Sequence, residues 1–135
     1  MPVTKRTAAM KDITHDLPSV MRKHIETHNA PDPKGFMATF APDALVNDNK
    51  REFLGHAAIK AWADKELFGD RVRLVVQQAF DNHGDVVLRG LVTGDFDKTN
   101  LPDPVILTYY FSLRDGVITQ LVVVLNRAIA EPAHS

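Results

Sequence analysis

Four side chains in this sequence have the types and spacing to do chemistry: Asp48, His24, His28 and Tyr109. Asp48 closes the run Leu45-Val46-Asn47-Asp48, and strand alternation turns it the same way as Val46. On a concave apolar face its carboxylate would be partly desolvated and its pKa would rise, as a general base needs. The alternative is a solvated strand-end aspartate, or a cap on the turn at Asn49.

His24 and His28 lie four residues apart in His24-Ile25-Glu26-Thr27-His28, which puts both on one helix face. Such a pair could bind zinc, but the helical zinc motif sets its glutamate directly after the first histidine. Here Glu26 follows two residues later, and beyond His56 and Asp48 no third ligand suggests itself. No metal site is therefore expected. His24 is read as a pocket residue, a hydrogen-bond donor or acid–base partner, with His28 at the helix end. The competing reading makes both boundary histidines, favoured by the helix dipole. Tyr109 shares an alternating face with Leu107 and Phe111, so its phenol could donate to a substrate oxygen or simply bond to backbone in the core.

These side chains need elements to hold them. Leu17, Val20, Met21, His24 and His28 recur at helical spacing, and the helix should end before Pro31 and Pro33. Asp32 can start a second, short helix running through Gly35 to Phe40. Ala44 to Asp48 reads as a short strand, followed by a turn and an extended piece near Phe53. Gly55 opens the clearest helix, with Ile59 and Trp62 inward and Gly69 near its end. The remainder reads as strand: Val72 to Phe80, Val86 to Phe96, Val105 to Leu113 and Val117 to Leu125, with turns at Asn82-His83-Gly84 and Arg114-Asp115-Gly116. Three helices on one strongly curved, mainly antiparallel sheet make an α+β cone whose concave face lines a small-molecule pocket. Its walls would come from Phe40, Val46, Trp62, Gly90, Val92, Phe111, Leu121 and Val123, with Gly90 marking a bend or room for a close ligand.

The chain has 135 residues, 44% hydrophobic, which suits one globular domain. Residues 1–16 read as a loose arm, 17–127 as the domain and 128–135 as a tail. A formal charge of −1 argues against nucleic-acid binding. With no cysteine, thiolate nucleophiles and disulfides are excluded. No apolar run approaches the length of a membrane span and no secretory signal is visible, so no membrane partner and a cytoplasmic location are expected.

The stretch from Phe40 to Asp48, then Gly55-His56-Ala57-Ala58-Ile59-Lys60-Ala61-Trp62, resembles the SnoaL-like group of the NTF2-like superfamily. Gly90-Leu91-Val92-Thr93-Gly94-Asp95-Phe96, Tyr110-Phe111-Ser112-Leu113 and Asp115-Gly116-Val117-Ile118 also resemble its strand pattern, over most of residues 17–126. The resemblance implies a cofactor-independent isomerase, cyclase or lyase acting on a small apolar carbonyl compound. Against the ketosteroid isomerases of that superfamily, Asp48 falls at the general base, His24 at an oxyanion-hole tyrosine and Tyr109 at a protonated aspartic acid. Two of these three positions depart in residue type. The alternative is a non-catalytic module binding a lipophilic ligand or a partner protein. An epoxide hydrolase would want an acid–arginine–acid set in the cavity, and Arg89 faces away by parity.

The last strand is apolar on both faces, with Leu121, Val123 and Leu125 on one and Val122 and Val124 on the other. A sheet covered by helices on one side should alternate with polar residues on the other. The expected outcome is a homodimer through the convex sheet face.

Overall fold

Helix α1 (Ser19–Asn29) starts behind Pro18, whose carbonyl accepts from the Met21 and Arg22 amides. It buries Met21, His24, Thr27 and His28, the face that the spacing of apolar residues and histidines predicts. Asp32 caps helix α2 (Pro33–Met37) by accepting the Gly35 amide at 3.0 Å, with Pro33 in the first turn. Helix α2 ends earlier than expected, because Phe40 already pairs with Ile118 and so begins strand β2 (Phe40–Asp48). The computed structural model describes residues 10–126.

After β2 come β3 (Arg51–Leu54), helix α3 (Gly55–Trp62) and a π-helical turn, Ala63–Phe68. Strands β4 (Arg73–Asn82), β5 (Asp85–Thr93), β6 (Val105–Arg114) and β7 (Val117–Leu125) then form the expected antiparallel meander. With β1 (Met10–Asp12) they make one seven-stranded sheet in the order β1-β4-β5-β6-β7-β2-β3. The sheet is mixed, since β2 runs parallel to β7, with Asp48 opposite Val123. The arrangement is the expected α+β cone, with two corrections. The helices are short, of 11, 5 and 8 residues, and they are not all N-terminal to the sheet: β1 precedes them, and β2 and β3 lie between the second and the third.

Residues 10–16, read from sequence as part of the arm, are tied into the sheet. Met10–Asp12 pair with Asn82–Phe80, the Ile13 amide donates to the Ala79 carbonyl at 2.8 Å, and Ile13 is buried. The attachment is made mostly by backbone, with Thr14 Oγ1 accepting the Ala79 amide at 3.0 Å, which is why the mixed, polar side chains concealed it. The rest of the arm, 1–9, and the tail, 128–135, lie outside the described residues. Among the described residues no helix is long and apolar enough to cross a membrane.

One amide fastens the end of α1 to the sheet. Asn29, at the end of α1, donates from Nδ2 to the Leu74 carbonyl and accepts the Leu74 amide on Oδ1, each at 2.8 Å. This satisfies both polar backbone groups of Leu74, on a stretch of β4 that β1 does not reach. Leu74 in turn lies over Gly90, where an added Cβ would collide with its Cδ1. Opposite, the β4 register shifts between Val76 and Gln78. Gly90 therefore accommodates a core leucine at a bend. Asn29→Ala should strip both Leu74 groups of their partners and lower stability by roughly 2 kcal/mol. Urea denaturation measures it, and Asn29→Asp should be nearly as damaging because it retains only the acceptor.

Candidate active site

The concave sheet face, α1 and the π turn enclose a cavity of about 190 Å³. Val92, Val105, Leu107, Leu121, Val123 and Leu125 supply apolar wall from β5, β6 and β7. The polar groups are few, as in ligand sites generally: His24, His28 and Tyr109 inside, and Asp48, Asn49, Glu66 and Asp70 toward the mouth.

Asp48 reaches the mouth because β2 ends there in parallel register with β7. The turn that follows is bolted to the same strand. The Asn49 amide donates to the Val123 carbonyl at 3.0 Å, and Asn49 Oδ1 accepts the Leu125 amide at 3.2 Å. Asn49 has φ of 50°, a left-handed conformation that asparagine tolerates well. Asp48 Oδ2 accepts from Trp62 Nε1 at 3.1 Å and from Arg51 Nη2 at 2.7 Å. Oδ1 has no partner among the described residues. Arg51 also grips Glu66 through both guanidinium nitrogens, at 2.7 and 2.9 Å. Its hydrogen bonds to Glu66, then the charges of Glu66 and Asp48, hold Arg51 firmly protonated, and Arg51 in turn depresses the Glu66 carboxyl. The Arg51 side chain is 51% exposed against 18% for Asp48, so the pair orients more than it stabilises.

Inside the cavity Tyr109 is buried, and burial followed by the nearby Asp48 charge pushes its phenol well above the usual tyrosine range. It stays a neutral O–H donor, and no partner for it occurs among the described residues. His24 sits within 4.6 Å of Phe36, 5.2 Å of Phe111 and 5.5 Å of Phe40, ring centre to ring centre. Desolvation, with a smaller contribution from His28, lowers its pKa to about 3. Burial likewise lowers His28 to about 4, and its Nδ1 is enclosed without a partner among the described residues. Neither imidazole is a cation near neutrality.

The structure brings Asp48, His24 and Tyr109 to one cavity, with Trp62, Val92, Leu121 and Val123 among its walls. Phe40, Val46, Gly90 and Phe111 do not line it; they are buried in the packing behind it. Arg89 is exposed on the outer face. Sequence reasoning missed Arg51 and Glu66, and it placed Trp62 as wall without its hydrogen bond to Asp48. The one available signal was three polar residues flanking the turn and the helix end. Among the described residues no group of three or more histidine, aspartate or glutamate side chains is arranged to hold a metal ion.

A SnoaL-like domain model matches residues 21–121, three-quarters of the chain. The chain belongs to the SnoaL-like family. Among solved structures, this SnoaL-like chain is similar to a Sinorhizobium meliloti protein provisionally named a polyketide cyclase, with 27% identity and a TM-score of 0.74 over 82% of this chain and 98% of that one. A Kribbella flavida protein provisionally named a ketosteroid isomerase superposes with a TM-score of 0.68 at 16% identity, covering 84% and 80%. An NTF2-like protein of unknown function from Cytophaga hutchinsonii gives 0.66 at 16% identity, covering 84% and 89%. The NTF2-like fold is thereby shown. No curated protein matches the sequence.

The two buried histidines of this SnoaL-like domain make its stability depend on pH. The unfolded chain binds protons at these sites below the ordinary histidine pKa of 6.5, whereas the folded chain refuses them until about pH 4 and 3. Stability should therefore be flat above pH 7 and fall as pH drops, by about 2 kcal/mol per histidine at pH 5. Urea midpoints at pH 7 and pH 5 measure the loss, and His28→Leu should roughly halve it.

Proposed function

We propose that the cone cavity is an enzyme site in which Asp48 removes an acidic proton from a small apolar carbonyl compound. One juxtaposition supports this reading above all: a carboxylate with an uncommitted oxygen and a neutral phenol donor line the same apolar cavity. Asp48 Oδ1 takes the proton next to the carbonyl carbon. The Tyr109 O–H donates to the carbonyl oxygen as it becomes an enolate, in a setting where low dielectric strengthens the bond. Return of the proton to another carbon of a conjugated enolate completes an isomerisation. Attack of the enolate on a second carbonyl carbon of the same molecule, whose oxygen takes the proton back from Asp48, completes a cyclisation. The solved relatives provisionally named cyclase and isomerase are consistent with both.

A second reading, a binding module without catalysis, draws on the Arg51 clamp, which already pairs with Asp48. Epoxide opening is less well supported. Arg51 does lie between two carboxylates, but it stands on the rim with its nitrogens committed to both. The decisive measurement is deuterium exchange at the α-carbon of an aryl methyl ketone in D₂O, followed by NMR. Asp48→Asn, which keeps the acceptor for Trp62, should reduce exchange by about 10²–10⁴-fold. Exchange equal to wild type would reject Asp48 as the base, and binding without exchange in the wild type would favour the module.

We further propose that the domain pairs with a second copy through its outer sheet face. Val75, Tyr110 and Val124 are exposed there to 58%, 47% and 42%. Tyr110 lies directly across from Val122 in the β6–β7 register, and Leu91 across from Ile106 in β5–β6. A two-fold contact would bury this face against itself and leave both cavities open. Light scattering at micromolar concentration should report a dimer, and Val124→Glu a monomer, because each copy would otherwise bury a charge without a partner. A monomeric wild type overturns the assignment.

A further inference from the structure

The role of His24 turns on where its single ring proton resides. Its Nδ1 lies 3.0 Å from Thr39 Oγ1, and that hydroxyl lies 2.7 Å from the Phe36 carbonyl oxygen. A carbonyl can only accept, so the one hydroxyl proton of Thr39 is donated to Phe36. Thr39 Oγ1 then has only lone pairs to offer His24, and the Nδ1–H of His24 must donate to it. In a neutral imidazole the other nitrogen is bare. Nε2 therefore carries a lone pair, has no partner among the described residues, and belongs to a ring that lines the cavity. Of the two roles read for His24 from sequence, donor or acid–base partner, this arrangement leaves Nε2 no proton to donate.

We propose that His24 Nε2 is a hydrogen-bond acceptor at the inner end of the cavity, and that the ligand carries a hydroxyl group there. This deepens the reading of the cavity as the ligand site, and rests on it. A carbonyl or ether oxygen at that position would face a lone pair and leave two acceptors opposed. An apolar end would leave Nε2 desolvated without compensation. The cavity, about 190 Å³, is slightly larger than the ~150 Å³ apolar cavities that accept benzene, so the ligand has about one ring with substituents. Asp48, Glu66 and Asp70 on the cavity wall, with Arg51 already paired to the first two, disfavour a carboxylate at the mouth. The substrate class is thus a neutral hydroxylated ketone, its hydroxyl on His24 and its carbonyl near Tyr109 and Asp48.

Three probes on one scaffold separate the possibilities: 4-hydroxyacetophenone, the equally sized 4-methylacetophenone and the slightly longer 4-formylacetophenone. Calorimetric titration of the full chain should show the hydroxy compound binding about tenfold tighter than the other two. In His24→Phe that preference should collapse to less than twofold. Thr39→Val, which removes the partner fixing the tautomer, should narrow it as well. In parallel, ¹⁵N NMR of the histidine-labelled wild type should show His24 protonated at Nδ1 and bare at Nε2 between pH 5 and 8. Tightest binding of the formyl compound, a preference that survives His24→Phe, or a protonated Nε2 would each overturn the proposal. Failure of all three probes to bind, with Nε2 bare, would instead reject the cavity as a site for such ligands, and the hydroxyl class with it.

Discussion

Thr39 is the point at which three elements meet, and the interior of the cone depends on it. Its hydroxyl ties the end of α2 to the His24 ring of α1, and its carbonyl accepts the Ile118 amide of β7 at 2.8 Å. It is buried, so each of these bonds acts where water cannot compete. Moving it would disturb the entry of β2 into the sheet, the placing of Phe36 and the ring orientation of His24 together. Helix packing and site geometry are here one constraint.

The mouth follows a different logic. Its polar side chains are half exposed and held by long, flexible arms, yet the carboxylate they surround is oriented by a rigid indole. Trp62 is buried at its ring and donates from its single N–H, so it fixes where Asp48 Oδ2 lies without fixing its charge. Arg51 stacks near Phe53 as well, at 5.5 Å from guanidinium to ring centre, which limits where the cation can wander. An apolar cavity with one oriented acid and one neutral phenol leaves little for water to do.

Much of this was legible in the sequence because it is periodic. The alternation in Val105–Leu113 and Val117–Leu125 assigned the inner face of β6 and β7, Tyr109 included, and helical spacing assigned His24 inward. What periodicity could not show was partnership at a distance. Arg51 meets Glu66 across a helix, Trp62 meets Asp48 across a strand end, and Asn29 meets Leu74 forty-five residues away. Gly90 carries the same signal whether a ligand or a leucine occupies the space beside it. The length of β2 was hidden because Pro42 and Asp43 are exposed and interrupt the pattern where the register with β7 shifts. His24 was legible as a pocket residue, but its direction of hydrogen bonding depends on a hydroxyl fifteen residues on.

The turn after α3 is wound one residue wider than an α-helix: the Gly69 amide reaches back to the Asp64 carbonyl and the Val72 amide to that of Leu67, each at 2.8 Å. That width lets Glu66 reach Arg51 while Leu67 also faces the cavity. A chain shorter by one residue between Ala63 and Phe68 could close ordinary α-helical bonds there, and everything beyond the deletion would rotate by roughly 100°. Glu66 or its neighbours would swing off the rim, leaving the guanidinium with Asp48 alone. The number of residues in this turn, as much as their identity, thus decides which side chains form the rim.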